Sequence, residues 1–114
     1  MGKKYIEDQD FKQKDFSAHG FQEVEYENCT FSNCIFTNAD LSGVIFVECD
    51  FIACDFSMPK TADTAFRDVN FNSCKLLGIR FEDCNKFLFA VNFKDCQLDL
   101  SSLYNIKMLQ YNSF

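Results

Sequence analysis

Four glycines, one proline and one histidine are all that 114 residues contain of those types, and Lys and Arg are outnumbered 11 to 17 by Asp and Glu. Each scarcity removes a class of function. The scattered glycines form no phosphate-cradling loop. The lone His19 has no nucleophile beside it in sequence, and the cysteines are spaced C-x4-C rather than in the tight pairs of a zinc site, so neither catalysis nor a metal or other cofactor is expected. No apolar run approaches the roughly 18 residues that a membrane span needs. The opening MGKKYIEDQD lacks an apolar core, and Ile6 stands where a myristoylation motif has Ser or Thr; the expected compartment is the cytoplasm. A formal net charge of −6 argues against a phosphate-binding surface for nucleic acid. The length suits one small domain, residues 1–114.

What the chain does have is a period. Stepping by five from Phe11 meets Phe16, Phe21, Tyr26, Phe31, Phe36, Leu41, Phe46, Phe51 and Phe56. Thr61 interrupts the series, which resumes at Phe66, Phe71, Leu76 and Phe81. A two-residue insertion within CNKFLFA then shifts the phase to Phe93, Leu98, Leu103 and Met108, with Leu88 expected as the centre inside the shifted segment. A helix repeats near 3.6 residues and a strand near 2.0, so neither accounts for a step of five.

Two further regularities show that the period is spatial. The residue two before the centre is small or β-branched at Val24, Cys29, Cys34, Ala39, Val44, Cys49, Cys54, Val69, Cys74, Ile79, Val91 and Cys96. Lys14 and His19 break this rule early, so residues 1–10 and the first coil are expected to fray. All 17 acidic residues fall at the other three positions of the pentad. Two inward and three outward positions produce that exclusion, because burying an unpaired carboxylate is costly.

The unit Ala39-Asp40-Leu41-Ser42-Gly43, varied as Cys-Asp-Phe at 49–51 and 54–56 and as Val-Asn-Phe at 69–71 and 91–93, resembles the pentapeptide-repeat family over residues 9 to 108. The resemblance implies an all-β fold, a right-handed quadrilateral parallel β-helix of about five coils, with one pentad per side and four per turn. Residues twenty apart then stack at about the 4.8 Å strand spacing, giving a rod roughly 25 Å long. Phe31, Phe51 and Phe71 would form one interior ladder, Phe36, Phe56 and Leu76 a second, and Phe46 and Phe66 part of a third, with Leu41 and Phe81 as further centres. The inward phase makes these rings core rather than a platform for stacking bases. Cys29, Cys34, Cys49, Cys54, Cys74 and Cys96 would stand in parallel columns, about 4.8 Å apart, outside the usual 3.5–4.5 Å Cβ separation of a disulfide. Reduced, buried thiols are expected.

Function is then left to the outside. From Asp15 to Pro59 there are eight acidic residues and no Lys or Arg. Glu23, Asp63 and Asp83 should line one corner of the square, and Glu48 and Asp68 the neighbouring one. Residues 29 to 56, CTFSNCIFTNADLSGVIFVECDFIACDF, resemble the early coils of Qnr-type proteins. That resemblance implies a rod whose negative surface mimics duplex DNA, binds DNA gyrase or topoisomerase IV, and protects it from quinolones. It also implies a projecting loop near 57–65, where Pro59 and Thr61 support an irregular coil or bulge and Lys60 would contact the enzyme. The insertion at 84–89 is a second candidate bulge. Qnr-type proteins are about twice as long and dimerise through C-terminal coils that have no counterpart after Met108. Residues 109–114 are expected to be irregular; whether another chain, as in a homodimer, covers that edge stays open. The alternative reading is a repeat scaffold for some other protein partner.

Overall fold

The structure is a computed structural model that describes residues 4–17 and 24–98. Nine short strands alternate with tight corners. They are β1 (Lys4–Glu7), β2 (Asp10–Lys12), β3 (Val24–Glu27), β4 (Thr30–Ser32), β5 (Ile45–Val47), β6 (Asp50–Ile52), β7 (Ala65–Arg67), β8 (Val69–Asn72) and β9 (Val91–Lys94). A 3-10 turn spans Phe81–Asp83. All pairing is parallel: β1, β3, β5 and β7 form one side, and β2, β4, β6, β8 and β9 the next. Bridges Asp15–Ile35–Asp55–Lys75–Gln97 mark the third side, and Asp40–Lys60 the fourth. Partners stand twenty residues apart, as in Phe31 opposite Phe51, until Phe71 meets Phe93 across the insertion. The fold is therefore a quadrilateral parallel β-helix.

The coil completes about four turns among the described residues, since the longest side holds five strands; the sequence had suggested about five. The difference lies at the ends, because the centres Phe21, Leu103 and Met108, like His19, Glu23 and residues 99–114, fall outside the described residues. At the start the coil reaches further back than the pentad series, with Ile6 opposite Tyr26.

The square cross-section depends on its corners. Two residues after each centre the backbone enters the left-handed region: Asp8, Asn28, Glu48 and Asp68 along one edge, and Gln13, Asn33, Ala53, Ser73 and Asp95 along the next. Asn, Asp and Gly suit this conformation, and Gly43 and Gly78 adopt it elsewhere. Ala53 and Glu48 do not suit it, at a cost of roughly 1–2 kcal/mol for an L-residue. Coil-to-coil hydrogen bonds hold them there, such as Glu48 N–H to Arg67 O at 2.8 Å and Ala53 N–H to Asn72 O at 2.8 Å.

Inside, the centres stack as ladders. Phe11, Phe31, Phe51, Phe71 and Phe93 follow one another with ring centroids 4.9, 4.8, 5.2 and 5.6 Å apart. Phe16, Phe36 and Phe56 do the same at 4.9 and 4.5 Å, above Leu76. Tyr26, Phe46 and Phe66 form the third ladder at 5.4 and 5.6 Å. Neighbouring ladders meet edge to face, as Phe51 meets Phe56 at 4.9 Å and 85°, the geometry that the ring quadrupole favours. Leu41, Thr61 and Phe81 complete the fourth column, all buried. Thr61 is tolerated because its hydroxyl donates to Arg80 O at 3.0 Å.

The stretch 57–65 does not project. Pro59 and Thr61 point inward, Lys60 bridges Asp40, and Lys60 O accepts from Leu41 N–H at 2.8 Å. The insertion does project, and it corrects the expectation for Leu88, which is exposed while Phe89 fills the interior. Asn85 is bridged to Ala65, and Val91 pairs with Val69. The segment 86–90 must therefore cover the span that 66–68 covers one coil below, and its surplus is looped outward.

Phe51 touches rings of its own ladder and of both neighbours. Phe51→Ala is expected to cost about 3–5 kcal/mol in urea unfolding. The adjacent exposed change Ile52→Ala is expected to stay within about 0.5 kcal/mol.

Candidate partner-binding face

The first side of the coil carries the densest charge. Its strands β1, β3, β5 and β7 place Tyr5, Glu25 and Ile45 outward before each centre, and Glu7, Glu27, Val47 and Arg67 after it, while Ala65 at the corresponding position of β7 is buried. One bounding corner holds Asp8, Asn28, Glu48 and Asp68; the other holds Gly43 and Asp63, with Asp83 in the 3-10 turn above them. The two corners singled out from sequence thus flank one side, and the acids between them extend it. Glu7, Glu25 and Glu27 were missed because only corner columns were stepped by twenty; the same step applied to positions 5 and 7 finds them. Glu23 lies outside the described residues, and Lys60 sits on the fourth side, away from this surface.

Local interactions set how much negative charge the side presents. Glu7 and Glu27 face each other across the β1–β3 pair, an unfavourable like-charge contact. The Tyr5 hydroxyl donates to the Glu27 carboxylate, and this hydrogen bond beside a negative charge holds the phenol above its usual range. Asn28 Nδ2 donates to Asp8 Oδ1 at 2.7 Å along the corner. Asp83 is partly neutralised, since Arg80 reaches it at 2.9 Å and Glu82 at 2.5 Å. Glu48 and Asp68 are exposed on the left-handed corner, which turns their side chains away from the core. On the fourth side, Asp40 is held below the ordinary carboxylate range by the side chain of Ser42 and then by its N–H, which donates at 3.1 Å.

All seven thiols are free and buried. Cys49, Cys54 and Cys74 donate to the carbonyls of the centres one coil earlier, Tyr26, Phe31 and Phe51, at 3.4, 3.2 and 3.2 Å. Thr64 uses the same slot for the same purpose, donating to Leu41 O at 2.6 Å. The slot therefore wants a small donor as well as a small apolar group, which Cys supplies. Burial pushes Cys49 and Cys84 up to about 12. Among the described residues no group of three or more His, Cys, Asp or Glu is placed to hold a metal ion, and no helix is long and apolar enough to cross a membrane.

Residues 27–57 match the family model described as pentapeptide repeats (8 copies). The full-length structure of QnrB1, a plasmid-mediated fluoroquinolone resistance protein, is similar at a TM-score of 0.61 and 22% identity, covering 81% of this chain. This chain spans 43% of that one. A pentapeptide-repeat protein, Rfr23, from the cyanobacterium Cyanothece 51142 is similar at a TM-score of 0.54 and 12% identity, over 92% of this chain and 84% of its own. These likenesses establish the fold. No curated protein matches significantly.

The thiols impose a pH dependence whose sign follows from their burial. Unfolded Cys49 and Cys84 lose their protons near 9 and folded ones near 12, so above pH 9 the unfolded chain binds fewer protons and stability falls. The urea midpoint is expected to be insensitive to these thiols below about pH 9 and to decline toward pH 12. Cys49→Ala is expected to make that decline shallower; an unchanged slope would show that Cys49 ionises equally in both states.

Proposed function

We propose that this chain, whose residues 27–57 match a pentapeptide-repeat model, acts as a non-catalytic rod that binds another protein through the acidic first side. The carrying observation is the convergence of Glu7, Glu25 and Glu27 with Glu48, Asp68 and Asp63 on one side and its two corners. The side is built from outward positions of strands that the interior ladders hold rigid. A fixed array of carboxylates steers a basic partner and selects it by charge, with little reorganisation on binding. The cytoplasm suits the chain, since its thiols need no oxidising compartment.

The partner we infer is a type II topoisomerase, DNA gyrase or topoisomerase IV. The Qnr-type likeness of residues 29–56 supports it, as does the shared fold with a fluoroquinolone resistance protein. On this reading the first side occupies a positively charged DNA-binding surface of the enzyme and protects it from quinolones. A second reading, a scaffold for a different basic protein, is favoured by two breaks in the negative surface. Gly43 interrupts one corner column, and Arg80 pairs with Asp83.

Gyrase supercoiling in the presence of ciprofloxacin, titrated with this protein, decides between them. Restored supercoiling is expected, with binding that weakens as salt rises. The combined change Glu48→Lys, Asp63→Lys and Asp68→Lys is expected to weaken gyrase binding about tenfold or more. Gyrase binding that survives this reversal would end the charge-mimicry account. The absence of both binding and rescue would leave the scaffold reading.

A further inference from the structure

The surplus residues of the insertion form a built feature. Phe89 N–H donates to Lys86 O at 3.3 Å and closes a tight turn with Phe87 and Leu88 at its tip. These side chains are 66% and 64% exposed, the largest values among the exposed large hydrophobics of the described residues and the only such pair adjacent in sequence. Leu88 holds φ at 57°, a conformation that disfavours a branched side chain and normally selects Gly or Asn.

The turn is braced from both sides. Arg67 Nε donates to Phe87 O at 3.3 Å, and its guanidinium lies 5.3 Å from the centre of the Phe87 ring. Asn85 Oδ1 accepts from Phe87 N–H at 2.9 Å, while Asn85 Nδ2 donates to Asp63 Oδ1 at 3.0 Å. Lys86 Nζ donates to Glu82 O at 2.9 Å. Side chains facing water in a strained, braced turn lose little further freedom on contact, which is the property of an interface anchor.

We propose that Phe87 and Leu88 are the apolar anchor of the partner-binding face, and that they enter an apolar pocket rimmed by Lys or Arg on a protein partner. This rests on the protein-binding reading above but not on the partner being a topoisomerase. Charge determines the rim. Asp63 is tied to the turn through Asn85, Asp68 follows the Arg67 that braces it, and Glu48 continues the corner one coil below. The nearby cations face the turn itself, Arg67 on the Phe87 ring and Lys86 on the Glu82 carbonyl. A neutral or acidic rim would meet uncompensated carboxylates; a basic rim complements them.

A random-peptide display library selected on the intact protein, with counter-selection on the double variant Phe87→Ser/Leu88→Gly, tests the anchor without any assumed partner. Enriched peptides are expected to combine aromatic or aliphatic residues with Lys or Arg, and to bind the double variant at least tenfold more weakly. No enrichment over the variant, or peptides that bind both proteins equally, would overturn the proposal. Gyrase separates it from the functional reading. Peptides selected without gyrase binding would leave the anchor and remove the topoisomerase; gyrase bound equally by wild type and double variant would remove the anchor alone. Leu88→Gly relieves the left-handed strain and is expected to raise the thermal midpoint by about 3–5 °C while weakening peptide binding. A fall in midpoint of more than about 5 °C, beyond the roughly 1 kcal/mol that the added backbone freedom of Gly costs, would mean that Leu88 packs inward, against the proposal.

Discussion

Each coil is held to the next by two interactions at one spacing: the parallel backbone hydrogen bonds of the sides and the stacking of rings inside. Backbone pairing alone fixes the distance between coils at roughly 4.8 Å. Aromatic rings fill that distance when stacked, so the ladder from Phe11 through Phe93 follows the same spacing as the strands around it. A register error of one residue would move an inward ring outward and break both interactions together. The twenty-residue step is therefore specified more strongly than either interaction could specify it alone.

Several costs elsewhere are consequences of that constraint. A square coil must turn sharply after each short strand, and the turn places a residue such as Ala53 or Glu48 in a conformation it would not choose. The same geometry leaves the centre carbonyls facing the slot residue of the next coil, where Cys54 and Cys74 donate to them. Burial of the thiols also disfavours their charged form, which raises Cys49 and Cys84.

The fold was legible in the sequence because a large apolar residue recurred at every fifth position. Phe31, Phe36 and Phe51 could be assigned inward from that recurrence, even where Ile35 and Ile52 stand beside them, and all three are buried while the two isoleucines are exposed. The insertion defeated that logic: Phe87, Leu88 and Phe89 are consecutive and apolar, so volume and hydropathy cannot rank them. Only the anchoring of Asn85 below and Val91 above decides which one turns in. The acidic side was half legible. Corner acids announced themselves at intervals of twenty; Glu7 and Glu27 share that interval but lie between the corners, and β1 carries their column below residue 11, where the pentad series starts. The pairing of Asp83 with Arg80 depends on the 3-10 turn, which no periodicity encodes.

Inward positions thus carry the fold, and the proposed recognition surface is drawn from outward ones. The most direct test is the thermal unfolding of a chain with Glu7→Gln, Glu27→Gln, Glu48→Gln and Asp68→Asn combined, followed by circular dichroism. The account predicts the same β spectrum and an equal or higher midpoint, because the Glu7–Glu27 contact and its neighbours repel. A collapse of the spectrum or a fall in midpoint of more than about 5 °C, roughly 1 kcal/mol for a domain of this size, would show that the outward carboxylates hold the coil together, contradicting the division between structural and recognition positions.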